Sequence, residues 1–287
     1  MTELLRLTFP VLARPIDLVG CDNTADDLAS ILRGWNPAVG PIETEPAPHV
    51  RIEKTETGFN WISQTGSLPR RWSERPSRTA MDIVVDIHVH LSGWHLQTAA
   101  SHCLVHCAAV RIGAGLVVFP STYKAGKSVL SVQFAKAGFR VYGDDLLMLA
   151  GDNCTGIALG MLPRLRLPLP ETIDAPTGGF IDARRGFADE TRMYVALKET
   201  ELASLGESAP VSGFVLLDRQ ADGPAVLNPV SQGEMMKFAI GRNFTDGLTQ
   251  IEIFDRFEAI TRDRRRLRLR YSRGEDAIAL LARVFGG

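Results

Sequence analysis

The chain has 287 residues, with 32 Lys and Arg against 33 Asp and Glu, for a formal charge of -1. A balance this close to zero excludes a general nucleic-acid or membrane-surface binder, which carries a strong basic excess; 45% hydrophobic and 23% charged residues exclude a mainly disordered chain. The length suits one large domain or two small ones that bury a core without staples, and Cys21, Cys103, Cys107 and Cys154 are too few for a disulfide framework.

The first 15 residues, MTELLRLTFPVLARP, contain an acidic residue and a proline, so they lack the basic start and unbroken apolar core of a secretory signal. No apolar run approaches the roughly 20 residues needed to cross a bilayer. The expected location is the cytoplasm, with reduced thiols. Residues 1–95 read as a small α+β module. Leu12 to Val19 suits a strand that Pro15 would confine to a sheet edge. Asn23 to Trp35 suits a helix, with Asn23 and Thr24 as caps and Leu28, Ile31 and Leu32 at helical spacing. Pro37 to Pro48 reads as a loop or linker. His49 to Ile52 and Phe59 to Gln64 pair around a turn at Thr57-Gly58. A polar stretch over 65–79 follows. Met81 to Leu91, rich in Val and Ile, reads as a strand with His88 and His90 on one face.

Residues 96–287 have a different texture. Leu96 to His102 suits a short helix, and His106 to Ile112 a strand. Gly113-Ala114-Gly115 turns the chain into a buried strand, Leu116 to Phe119. A loop leads to a helix from Lys127 to about Ala137, stopped by Gly138, and Phe139 to Tyr142 forms the next strand. Strand, loop, helix and strand in succession make a βαβ unit. Later elements are a strand at Gly213 to Asp218 and helices at Gly233 to Ile240 and Glu275 to Phe285.

The loop reads Ser121-Thr122-Tyr123-Lys124-Ala125-Gly126-Lys127-Ser128. This is the phosphate-loop pattern G-x-x-x-x-G-K-[ST] with serine in place of the first glycine. In such a loop, backbone amides and a helix N-terminus point at an anion. Gly126 lets the backbone close on it, Lys127 reaches the β- and γ-phosphates, and the Ser128 hydroxyl can ligate Mg²⁺. Asp144 and Asp145 follow the next strand, 17 and 18 residues after Lys127. The C-terminal edge of an open α/β sheet is where ligands bind. One carboxylate there can hold Mg²⁺ and the other can accept a proton from an attacking hydroxyl. His102, Cys103, His106 and Cys107 match no common zinc spacing.

Residues 105–149 resemble the HPr kinase/phosphorylase superfamily, particularly its HPr-kinase-like relatives. The likeness runs from VHCAAV through LVVFPSTYKAGKS to KAGFRVYGDDLLML. It implies an α/β phosphate-loop kinase core of the HPr-kinase/carboxykinase type over 96–287, behind the small α+β module. It also implies a kinase that moves the γ-phosphoryl group of ATP, with Mg²⁺, to a serine of a peptide or small protein. Carried over, residues 121–128 bind the nucleotide and Ser128 and Asp145 the metal. Asp144 matches the general base, and His106 the histidine that supports it; the order of the two aspartates stays open. The bifunctional enzymes' second signature is absent, so phosphorylase activity is not expected. A small-molecule kinase with the same nucleotide site, or a catalytically silent nucleotide-binding partner protein, are the competing functions. The oligomeric state stays open.

Three basic features complete the sequence. Arg164 and Arg166, in PRLRLP, either reach toward the phosphates or an acidic substrate, or simply alternate out of a strand. Thr177 to Gly186, which holds Asp182-Ala183-Arg184-Arg185-Gly186, reads as a mobile flap. Arg262 to Arg273 contains seven arginines and suits an edge strand with a solvated basic face, or a docking site for an acidic partner.

Overall fold

Strands buried on both faces lose the polar–apolar alternation and become continuous apolar runs. LVVF and GFVLL are such runs, and they lie at the centre of the main sheet. The computed structural model describes residues 4–21, 24–43, 46–63, 79–97, 101–120, 125–152, 154–243, 245 and 248–287. The fold is mixed α/β with three sheets.

The largest sheet has nine strands. Those that matter for the site are β6 (Cys103–Val105), β7 (Ala108–Ile112), β8 (Gly115–Phe119), β9 (Arg140–Gly143), β15 (Ser208–Arg219) and β17 (Arg265–Tyr271). The path runs β6-β10-β11-β15-β8-β7-β9, with β10 (Leu147–Leu149) and β11 (Thr155–Ile157); β17 pairs β15 and β16 (Val226–Pro229). Strand β7 is antiparallel to both β8 and β9, so β8 and β9 run parallel with β7 between them. Strand β15 is parallel to β8, and β17 is parallel to β15. Phe119, Gly143, Arg219 and Tyr271 therefore all stand at one edge of the sheet.

Helices cover both faces. Val117, Phe119, Val215 and Leu217 join one apolar cluster with α3 (Lys127–Lys136) and α7 (Gly274–Phe285). Leu116, Val118, Phe214 and Leu216 join the other with α5 (Gln232–Ile240) and α6 (Gln250–Arg262). The expected turn at Gly113 and the helix stop at Gly138 are present, both glycines with positive φ. The expected basic edge strand is instead interior, because β16 covers its outer side. Its arginines are matched locally, Arg268 by Glu234 of α5 and Arg270 by Asp218.

A five-stranded sheet in the order β3-β1-β2-β4-β5 forms the N-terminal region, from β1 (Leu4–Thr8), β2 (Ile16–Val19), β3 (Ala38–Pro41), β4 (Val50–Thr55) and β5 (Gly58–Ser63). The expected hairpin of β4 and β5 is present, with its turn at Glu56-Thr57, one residue before the expected Thr57-Gly58; Gln64 lies outside the described residues. The strand after Pro15 is central rather than an edge. Pro15 sits one residue before it, and its carbonyl accepts from His49 N at 2.8 Å, so no ladder donor is lost. The proline-rich stretch yields the edge strand β3, where a missing N–H costs nothing. Helix α1 (Thr24–Ile31) continues into a 3-10 turn at Arg33–Trp35; Asn23 and most of the polar 65–79 stretch lie outside the described residues.

The main departure is Met81 to Leu91. It is helical, within α2 (Ala80–Gln97), and the separate helix expected from Leu96 is the end of this one. The Thr79 hydroxyl accepts from Asp82 N while the Asp82 carboxylate accepts from Thr79 N, a reciprocal N-terminal box. Residues two apart on a helix diverge by about 200°, so His88 and His90 separate. The His90 ring lies 5.0 Å from Trp61, whereas His88 lies 6.5 Å from Tyr194. The expected flap is regular structure, α4 (Ala175–Asp182) followed by β13 (Arg185–Ala188), and Arg184 pairs with Glu201 at 2.6 Å. Strand β13 belongs to a third sheet, β12-β14-β13, with β12 (Arg164–Arg166) and β14 (Arg192–Val195). No helix among the described residues is long and apolar enough to cross a membrane.

The 3-10 turn presses on the main body at Gly34. A Cβ there would lie 2.4 Å from the Gly160 carbonyl oxygen, so backbone must move to admit it. Gly34→Ala is expected to cost about 1–3 kcal/mol, read as a lower urea midpoint with an unchanged slope. An unchanged midpoint would show that the two backbones do not meet.

Candidate active site

Gly126 has φ 87°, a left-handed conformation that an L side chain resists, and it caps the N-terminus of α3. As a glycine it offers no side-chain cap to the amides of the first turn. Those amides and the helix dipole favour a negative group there. Lys127 and Ser128 open the helix. Lys127 is only 8% exposed, and burial holds its ammonium below the usual lysine range against the pull of Asp144 and Asp145. Ala125 lies before the cap and lines the same cavity. Ser121, Thr122, Tyr123 and Lys124 lie outside the described residues.

Strand β9 ends at Gly143, and the two aspartates follow with different surroundings. Asp144 is buried at 3% exposure. Its Oδ2 accepts from Arg164 N at 3.1 Å, and its Oδ1 has no hydrogen-bond partner among the described residues. Burial and the neighbouring Asp145 push its carboxyl up to about 6, with the Arg164 amide and the Ser128 hydroxyl pulling the other way. Asp145 faces the cavity. His106 Nδ1 lies 3.4 Å from its Oδ1, and Arg164 Nη2 donates to its Oδ2 at 3.1 Å. The histidine therefore meets Asp145, not Asp144 as the resemblance implied. His106 precedes β7, and its backbone amide donates to Arg242 O at 2.7 Å. Burial lowers its pKa, with Asp145 opposing, which favours the neutral ring near pH 7.

His106, Lys127, Ser128, Asp145 and Arg164 line a cavity of about 510 Å³, and Asp144 lies behind it. One wall is the start of α3; the other is β12 and the segment after it, including Arg166 and Pro168. Arg192 and Arg219 also reach the cavity, and neither stands out in the sequence as a site residue. Arg192 comes from β14, paired to β12 so that Arg192 lies opposite Arg166. Its Nη2 donates to Asp82 Oδ1 at 2.8 Å, which ties α2 to the site. Arg219 ends β15, directly after the predicted strand at Gly213 to Asp218; that position was the available signal. Among the described lining residues, Lys127 and four arginines outnumber the single carboxylate of Asp145, so the cavity suits a polyanion.

No family model and no curated protein matches the chain. Among solved structures, it is similar to the HPr(Ser) kinase/phosphatase from Coxiella burnetii, at 10% sequence identity and a TM-score of 0.31, over 63% of this chain and 92% of that one.

Proposed function

We propose that this chain is a nucleotide-dependent kinase with a phosphate-loop core, which transfers the γ-phosphoryl group of ATP to a serine hydroxyl of a peptide or small protein. One observation carries the reading: the amide-rich first turn of α3, with buried Lys127, shares a cavity with the Asp145 carboxylate at the end of the parallel strand β9, and the buried Asp144 lies directly before it. The loop residues 121–128 would wrap the polyphosphate, as their sequence pattern suggests.

Ser128 and Asp144 would hold Mg²⁺; Asp144 has a buried oxygen with no partner and lies beside the Ser128 hydroxyl, which suits a cation. The ion, when bound, neutralises charge that builds on the transferring group. Asp145 is the base. Its carboxylate takes the acceptor's hydroxyl proton as that oxygen bonds to phosphorus; the bond to the bridging oxygen breaks and its electron pair leaves with ADP. His106 and Arg164 hold Asp145 in place. This exchanges the roles that the family likeness suggested for the two aspartates.

The test is labelled-ATP transfer to a panel of peptide, protein and small-molecule hydroxyl acceptors. Wild type should label a serine-containing acceptor only with Mg²⁺ present, and Asp145→Asn should lower the rate by about 10²- to 10⁴-fold while nucleotide still binds. Binding without transfer to any acceptor would leave the silent-partner function, and labelling of small molecules alone would reject the peptide acceptor.

A further inference from the structure

Arg219 has no part in the mechanism above, yet it occupies an unusual place. It ends β15, parallel to the loop-bearing β8, so it emerges at the same sheet edge as Lys127. Its Cδ stands 4.0 Å from where a Cβ on Gly126 would be. Two of the other cavity arginines are paired with carboxylates, Arg164 with Asp145 and Arg192 with Asp82. Arg219 makes no ion pair with a described carboxylate. Its guanidinium donates to the exposed hydroxyl of Thr172. The guanidinium thus has a neutral partner and lines the same cavity as Lys127 and the N-terminus of α3, both of which favour an anion. An anion held there could take up the donors that Thr172 now uses.

Arg219 also borders a second, smaller cavity of about 50 Å³, which shares Gly126 with the first and is lined as well by Gln133, Tyr271, Arg273 and the acidic Asp174 and Glu275. His106 and Asp145 line only the larger one. Arg219 thus stands between the reacting end of the cleft and an end remote from it. We infer that Arg219 is a phosphate-binding residue, whose guanidinium grips the phosphates that stay on the nucleoside after transfer. The inference rests on the kinase reading and adds a named contact to it. A planar fork suits two phosphate oxygens at once, which a threonine hydroxyl cannot match.

Calorimetry with Mg-ADP and with inorganic pyrophosphate tests this on wild type, Arg219→Ala, Arg219→Lys and Lys127→Ala. Arg219→Ala should weaken both ligands by roughly ten- to hundredfold, with Arg219→Lys in between. At saturating ATP the transfer rate should stay within a few fold of wild type, since the contact exists before and after transfer. A folded Arg219→Ala with unchanged melting temperature that binds both ligands within twofold of wild type overturns the inference. If Arg219→Ala does not fold, Arg219→Gln is measured under the same criteria. Loss of binding in Lys127→Ala but not in any Arg219 variant sinks only this inference; a wild type that binds neither ligand sinks the kinase reading with it.

Discussion

Lys127→Ala is expected to lower phosphoryl transfer by roughly three orders of magnitude. The ammonium is buried, and the cost of its burial is partly offset by Asp144 and Asp145. In the transition state it would face charge that spreads over the terminal phosphate oxygens. Alanine removes that partner in a site where water cannot replace it fully. The same change leaves the aspartates without their buried counter-charge, so the Asp144 carboxyl should rise further. Initial rates with labelled ATP, beside far-UV circular dichroism, separate lost chemistry from lost fold. A folded Lys127→Ala that transfers within tenfold of wild type would remove the phosphate loop from the mechanism.

Asp144→Asn is expected to abolish Mg²⁺-dependent transfer and yet stabilise the ligand-free protein above pH 7. The Asp144 carboxyl sits at about 6, against an ordinary value of 3.8. The folded chain therefore binds this proton more tightly than the unfolded chain. Stability is highest below about pH 4, falls as pH rises through 6, and levels off above it. The difference of about two units corresponds to about 3 kcal/mol as an upper figure. Asparagine carries no charge to desolvate, and its side-chain oxygen can still accept from the Arg164 amide. In metal-free buffer the variant should exceed wild type at pH 8, and the two should converge near pH 4. A variant less stable than wild type at pH 8, or a gap that ignores pH, would show that Asp144 is not a buried charge. Such a residue, stabilising only once its metal arrives, is what a metal-side carboxylate should be.

Much of the core was legible because its signals are local. Lys127 and Asp145 are 18 residues apart, joined by one helix and one strand. The glycine before the lysine, the helix stop at Gly138 and the apolar runs on either side each act over a few residues. The segment 80–97 misled for a local reason too. Its Ile83-Val84-Val85 run has strand propensity, but packing outweighs propensity. Met81, Ile83, Val84, Ile87, His88 and Leu91 are buried at helical spacing, and Thr79 with Asp82 marked the start.

The sequence by itself determined the chemistry on offer: an amide-lined helix start, a lysine, a hydroxyl and two carboxylates at one sheet edge. Tertiary structure alone decided which carboxylate faces the cleft. Asp144 and Asp145 both lie in a bend just past β9, so strand alternation does not set their directions, and no local pattern specifies which of them turns to the cleft. It also decided that Arg164, Arg192 and Arg219 stand around the cavity. They arrive from strands in two different sheets, β12 and β14 in one and β15 in the other, and only long-range pairing brings those strand ends together.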